Sequence, residues 1–180
     1  MLKAAGAGNS SIAAAMNVSA QFSFAENADI ADATTRPHVT ISATGGGYID
    51  YYAVTIANPG SSITLDIDYG DQNGAPGDID TIVVIYNSAG QVLDWGDDWD
   101  PAEGGGGSVS GLDSFLRYTF AAAGTYYVAV ETWDDEVVPS GGTYQLHISV
   151  GGEILENPGG GTIFRFTVRK VSRNEIGDAV

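Results

Sequence analysis

Cysteine is absent from this chain of 180 residues. Without thiols there can be no disulfide bond, no thiolate metal site and no cysteine nucleophile. Basic side chains are scarce as well, since 7 lysines and arginines stand against 23 aspartates and glutamates, for a net charge of −16. A surface of that charge repels nucleic acids and anionic lipids. We therefore expect neither a nucleic acid nor a lipid surface as a partner.

Long apolar runs are missing too. No stretch approaches the roughly 18 consecutive apolar residues that cross a bilayer, so membrane insertion is not expected. Residues 1–19 are mostly small and weakly patterned, which suggests an N-terminal linker. Residues 20–151 hold 19 acids and only two bases, whereas residues 152–180 hold four of each. This shift predicts one domain over 20–151, followed by a C-terminal extension or edge strand.

Helical periodicity is also lacking, and apolar residues alternate with a period of two instead. That pattern is typical of half-buried strands. Strands are predicted at residues 38–44, 50–57, 62–69, 80–87, 114–120, 125–132 and 143–150, with a hairpin turn at 87–90 and a late strand at 162–171. The sequence thus predicts an all-β fold, an antiparallel β-sandwich of the jelly-roll type.

The acids are placed as ion ligands would be, because most fall at strand ends or in glycine-rich loops. Calcium takes about six to eight oxygen ligands in forgiving geometry, which such loops can supply. Aspartate and asparagine also simply favour turns, and for any single residue that explanation is as good. Taken together, they predict calcium ions that stabilise one end of the sandwich. The candidate ligands are Glu26, Asn27, Asp29, Asp50, Asp78, Asp80, Asp97, Asp98 and Asp113.

Support for catalysis is weak. The only histidines are His38, expected to pack or hydrogen-bond locally, and His147, expected to be exposed on the polar side of its strand. No G-x-S-x-G, H-E-x-x-H or phosphate-binding glycine motif occurs. With 23 acids some pair of carboxylates will always be close, so a glycosidase-like pair carries little information. We expect a protein without enzymatic activity.

Several stretches, in this order, resemble the bacterial pre-peptidase C-terminal (PPC) domain: IDYYAVTI, ITLDID, DIDTIVVIYNSAGQVLDWGDD, LDSFLRYTFAAAGTYYVAVET and GGTYQLHISV. The opening FAENADIADATTRPHVTISATGGGYIDYYAV is more similar to the related domain of large RTX adhesins. The resemblance covers about residues 20–151 and implies a calcium-binding β-sandwich that is secreted or displayed on a bacterial surface. It places Asp50 and the acids of DID and GDD at calcium positions. In RTX adhesins the related domain binds short peptides on target cells.

Tryptophans stand beside acids in LDWGDDWD and ETWDDE. Indole rings in polar loops are typical of ligand contacts, although they could instead cap the ends of the core. The predicted ligand-binding set is Trp95, Trp99, Asp100, Trp133 and Asp134. A calcium ion beside them could accept a ligand carboxylate. We therefore expect an adhesin module that binds an extracellular peptide or protein C-terminus on a target cell, as a monomeric domain of a longer chain.

Two other functions stay open at this point. The same fold could serve as an accessory or processing domain of a secreted hydrolase, since fold does not decide function. It could also be a carbohydrate-binding module that recognises a glycan, for which the tryptophans are the only argument.

Overall fold

Two five-stranded sheets pack face to face in the computed structural model, which describes residues 1–4, 8–72, 74, 77–103, 105–133 and 137–152. The strands are β1 (Leu2–Lys3), β2 (Met16–Asn17), β3 (His38–Thr44), β4 (Asp50–Ile56), β5 (Ser62–Asp68), β6 (Thr81–Tyr86), β7 (Val92–Gly96), β8 (Phe115–Thr119), β9 (Gly124–Thr132) and β10 (Thr143–Gly151). Sheet A has the order β1-β3-β10-β5-β8, and sheet B the order β2-β4-β9-β6-β7.

Most strand pairs are antiparallel. Among the described residues, only the pairs β1–β3 and β2–β4 run parallel. The predicted all-β sandwich is confirmed, and each predicted strand between residues 38 and 150 contains or overlaps an observed one. Stabilisation of this fold by calcium stays a prediction.

The core lies between the sheets, where the period-two alternation directs the apolar side chains. In β5, Ile63, Leu65 and Ile67 are at most 1% exposed and belong to one cluster with residues of both sheets. Each such side chain contributes about 1.5–3 kcal/mol to folding relative to an exposed position. β6 is apolar on both faces and lies inside sheet B, between β9 and β7. These local patterns therefore build the scaffold that carries the loops.

The N-terminal segment differs from the linker that the sequence suggests. β1 and β2 each add a short parallel edge strand to one sheet. Lys3 is 2% exposed, and its Nζ lies 2.6 and 2.7 Å from the two carboxylate oxygens of the fully buried Asp50. Lys3 and Asp50 are 47 residues apart in sequence, so no local pattern could predict this ion pair. The first residues of the chain are thus part of the folded domain.

The sequence predicts no membrane-spanning segment, and it predicts a late strand after the sandwich. No helix among the described residues is long and apolar enough to cross a membrane. The late strand predicted at 162–171, with the rest of the C-terminal extension after residue 152, lies outside the described residues.

Candidate metal-binding sites at one end of the sandwich

The acidic loops meet at one end of the sandwich because consecutive strands alternate in direction. Asp50, which begins β4, lies opposite Val130 near the end of β9. Thr81, which begins β6, lies opposite Thr132, the last residue of β9. The segments that follow β5 and β7 and precede β6 and β8 reach this same end. Acids that are far apart in sequence are thereby brought together in two groups.

The first group, which we call the rim group, consists of Asp80, Asp97 and Asp98. One carboxylate oxygen from each lies within 4.8 Å of the others, and all three residues are partly or fully exposed. The backbone holds them in place: Trp133 N–H donates to Asp80 O at 3.1 Å, and Phe115 N–H donates to Asp97 O at 3.3 Å. Partly solvated carboxylates of this kind are suited to calcium.

The second group, which we call the inner group, consists of Asp29, Asp68 and His147 on the outer face of sheet A. Their ligand atoms also lie within 4.8 Å of one another. Asp68 is 0% exposed and His147 is 2% exposed, and Asp68 Oδ2 lies 2.8 Å from His147 Nε2. Asp29 is only partly buried, so the group can be reached from solvent. A cation held here would lie inside the protein rather than at its surface.

Two further carboxyl groups, those of Asp66 and Asp113, are buried near this end of the sandwich. Burial, together with the nearby charges of Asp68 and Asp113, raises the pKa of Asp66 to about 8. Burial also raises the pKa of Asp113 to about 6, although backbone N–H groups of Gly70 and Asp71 donate to its Oδ1 at 2.9 and 3.0 Å. Among the described residues, Asp66 Oδ2 and Asp113 Oδ2 have no hydrogen-bond partner. A bound cation would favour the charged form of both groups.

Glycines let the loop between β7 and β8 lie directly on the inner group. Ser108 Oγ donates to Asp68 Oδ1 at 2.9 Å and lies 3.0 Å from Ile67 O. A Cβ on Gly107, whose φ is +106°, would stand 2.0 Å from Asp68 Oδ2, and one on Gly105 would stand 2.6 Å from the backbone of Asp29. The glycine run is thus required by the close approach of backbone to carboxylate.

Gly107→Ala is expected to destabilise the protein more than Gly60→Ala. Both glycines have positive φ, which costs a side chain about 1–3 kcal/mol. A Cβ on Gly60 would meet nothing within 4 Å, whereas one on Gly107 would force the loop away from Asp68. Urea unfolding of the two variants checks this. Equal losses of unfolding free energy would show that the loop does not depend on its contact with Asp68.

The other predicted ligands have separate partners. Asn27 Nδ2 donates to Thr40 Oγ1 at 2.9 Å, and Asp78 Oδ2 accepts from Gly74 N–H at 2.6 Å. Glu26 is exposed. Asp50 accepts from Lys3 and, at 2.7 Å, from Tyr144 Oη, so the structure gives it an ammonium group in place of the predicted calcium.

Two members of the inner group, Asp68 and His147, are not among the ligands predicted from the sequence. The expectation that His147 is exposed is wrong, because the segments around Asp29 and Ser108 cover this face of sheet A. Asp68 is the last residue of β5 and is absent from the predicted ligand set. The alternation in ITLDID and in QLHIS places an acid and a histidine on the polar face of two strands. The structure then pairs these strands, with Asp66 directly opposite His147. His38 hydrogen-bonds locally as expected, with Nδ1 3.0 Å from Arg36 O.

The three tryptophans stand out from the surface. Trp95, Trp99 and Trp133 are 55%, 52% and 60% exposed, so none is buried as part of the core. Trp99 stacks on Phe115 with ring centroids 6.0 Å apart, and the backbone N–H of Trp99 donates to Gly111 O at 3.1 Å. Trp95 is two residues before Asp97 of the rim group, and the backbone N–H of Trp133 donates to Asp80 O.

The predicted ligand-binding set also includes two acids, Asp100 and Asp134. Asp100 is exposed, and its Oδ1 accepts from Ala102 N–H at 3.0 Å. Asp134 lies outside the described residues.

Comparison with known proteins yields structural likeness alone. No protein-family model and no curated protein matches the chain. The periplasmic inhibitor of g-type lysozyme from Aeromonas hydrophila is similar at 14% identity and a TM-score of 0.42, over 83% of this chain and 99% of the inhibitor. The PPC domain of a Bacillus anthracis collagenase is similar at 17% identity and a TM-score of 0.39, over 64% of this chain and 88% of that domain. At these values, function has to be argued from this chain's own residues.

Proposed function

We propose that this chain is a non-enzymatic binding module whose ligand surface is organised by calcium at the rim group. The observation that carries the proposal is the rim group itself: three carboxylates within 4.8 Å of one another, beside Trp99 and Trp133, which are more than half exposed. The oxygen ligands suit calcium, and the exposed indoles offer apolar contact area with an N–H donor.

A peptide carboxylate fits this surface best. With one oxygen from each of the three carboxylates, calcium has fewer than the about six to eight ligands that it takes, so a ligand oxygen can complete the shell. The ion would offset two of the three negative charges of the rim group and present its own positive charge to the ligand, which lets a domain of charge −16 bind an anion. The indoles would then pack the side chains that precede the carboxylate. A free C-terminus of an extracellular peptide or protein has this chemistry.

Binding is expected to require calcium, a free ligand carboxylate and Trp99. The probes are an immobilised library of peptides with free C-termini and the same library with C-terminal amides. We expect binding to free C-termini in calcium, loss in EDTA and loss in Asp97→Asn. Trp99→Ala is expected to weaken binding about tenfold or more, as for a central interface aromatic. Val92→Ala, an equally exposed residue at the other end of β7, should bind normally.

The opposite pattern would count against the proposal. Equal binding of amidated peptides, or binding that persists in EDTA, would exclude a metal-bound carboxylate. A glycan array read in calcium tests the carbohydrate alternative, and a sugar hit lost in Trp99→Ala without any peptide hit would support it.

The parent protein decides between the two settings that fit this activity. As an accessory domain of a secreted hydrolase, the module would attach the enzyme to its substrate. As the binding domain of an adhesin, it would attach a cell to its target. A protease or other hydrolase domain in the full-length gene favours the first setting, and tandem adhesin repeats favour the second.

A further inference from the structure

The inner group contains a contact that ordinary hydrogen bonding does not explain. His147 Nε2 and Asp68 Oδ2 are 2.8 Å apart, yet neither atom has a hydrogen-bond partner in the described part of the chain. The two atoms are close without the alignment that an N–H donor requires. Two ligands of one metal ion are neighbours of this kind, since both direct a lone pair at the ion.

The other ring nitrogen is held as it is in metal-binding histidines. His147 Nδ1 lies 2.8 Å from Thr40 Oγ1, which accepts a hydrogen bond from Asn27 Nδ2 at 2.9 Å. Asn27 is fixed in turn, because its Oδ1 accepts from Asp29 N–H at 2.9 Å. With the proton on Nδ1 donated to Thr40, Nε2 keeps its lone pair and faces the two carboxylates. A second hydrogen bond that fixes the tautomer is typical of histidine ligands.

The donor set decides which class of ion fits. Calcium in proteins is bound by oxygen alone, so an imidazole nitrogen disagrees with the calcium predicted from the sequence. One imidazole with two carboxylates suits zinc and other first-row transition metals. We infer that Asp29, Asp68 and His147 bind a transition-metal dication, with Zn²⁺ as the probe. Its two positive charges would balance the two carboxylates in a site where uncompensated charge is costly.

This site is separate from the proposed calcium surface. The inner group lies on the outer face of sheet A, whereas Asp80 and Asp97 of the rim group flank strands of sheet B. No residue belongs to both groups. Failure of zinc binding would therefore leave the calcium proposal intact, and the reverse also holds.

Calorimetric titration of metal-free, untagged protein with Zn²⁺ and with Ca²⁺ tests the inference. We expect one equivalent of zinc to bind much more tightly than calcium does at this site, with a rise in melting temperature. His147→Gln is expected to weaken zinc binding more than about 100-fold, because loss of an outer partner alone costs about 10–100-fold. Asp97→Asn should keep the zinc affinity of the parent protein and lose the heat of calcium binding at the rim group.

His38→Gln is the matched control, since His38 is the other histidine of the chain and belongs to neither group. It should bind zinc as the parent protein does. If His147→Gln does not fold, Co²⁺ added to the parent protein supplies the test, and a four-coordinate site with His147 as a ligand should give intense visible absorption bands that zinc displaces. Zinc binding unaffected by His147→Gln, or cobalt without such bands, would overturn the inference and leave a buried histidine–aspartate ion pair.

Discussion

Lys3→Met is expected to lower the free energy of unfolding by about 3–5 kcal/mol, the usual cost of breaking a buried ion pair. Lys3 and Asp50 are both buried, and Lys3 Nζ lies within 2.7 Å of both carboxylate oxygens. Methionine keeps the aliphatic length but leaves the charge of Asp50 uncompensated. Burial already raises the pKa of Asp50, so the variant would bind a proton there on folding. Urea unfolding at pH 7 measures the loss.

Two further variants isolate the ion pair. Asp50→Asn in the Lys3→Met background should recover much of the lost stability, because a neutral amide can still accept from Tyr144 Oη, 2.7 Å away in the parent. Arg36→Met removes an exposed pair in which Arg36 Nε is 3.9 Å from Asp32 Oδ2, and should cost at most about 1 kcal/mol. A Lys3→Met loss no larger than that of Arg36→Met would mean that β1 does not hold Asp50.

The metal-free protein is expected to lose stability as the pH rises from about 4 to about 8. The pKa of Asp66 is raised from 3.8 to about 8, so the native state binds more protons than the unfolded state across this window. For a raised carboxyl pKa, unfolding free energy is highest below the unfolded-state value and falls until the native pKa is passed. The Asp66 contribution is on the order of 5 kcal/mol. Asp113 adds a smaller loss that ends near pH 6, its raised pKa.

Urea unfolding in EDTA at several pH values measures this slope. Asp66→Asn should flatten it above pH 6, because the amide cannot ionise. Asp32→Asn, a change at an exposed acid, should leave the slope nearly unchanged. A metal-free protein that becomes more stable towards pH 8, or an Asp66→Asn variant with the parent slope, would show that Asp66 is ionised in the native state.

Much of the site's location could be predicted from sequence. Acids at strand ends must meet at one end when consecutive strands are antiparallel, and this placed Asp80, Asp97 and Asp98 within reach of one another. The membership of the inner group could not be predicted. Asp29 and His147 are separated by more than one hundred residues, and only their positions in the folded chain bring them together.

The sequence by itself determined the sandwich and which side chains of each strand face the core, because alternation with a period of two is a local property that burial must satisfy. It also determined that the acids lie in loops at strand ends. Only the tertiary structure decided that Lys3 neutralises Asp50 and that His147 is buried against Asp68. These contacts arise where an edge strand and two loops fold back over the sheets, and such long-range packing leaves no periodic mark on the chain.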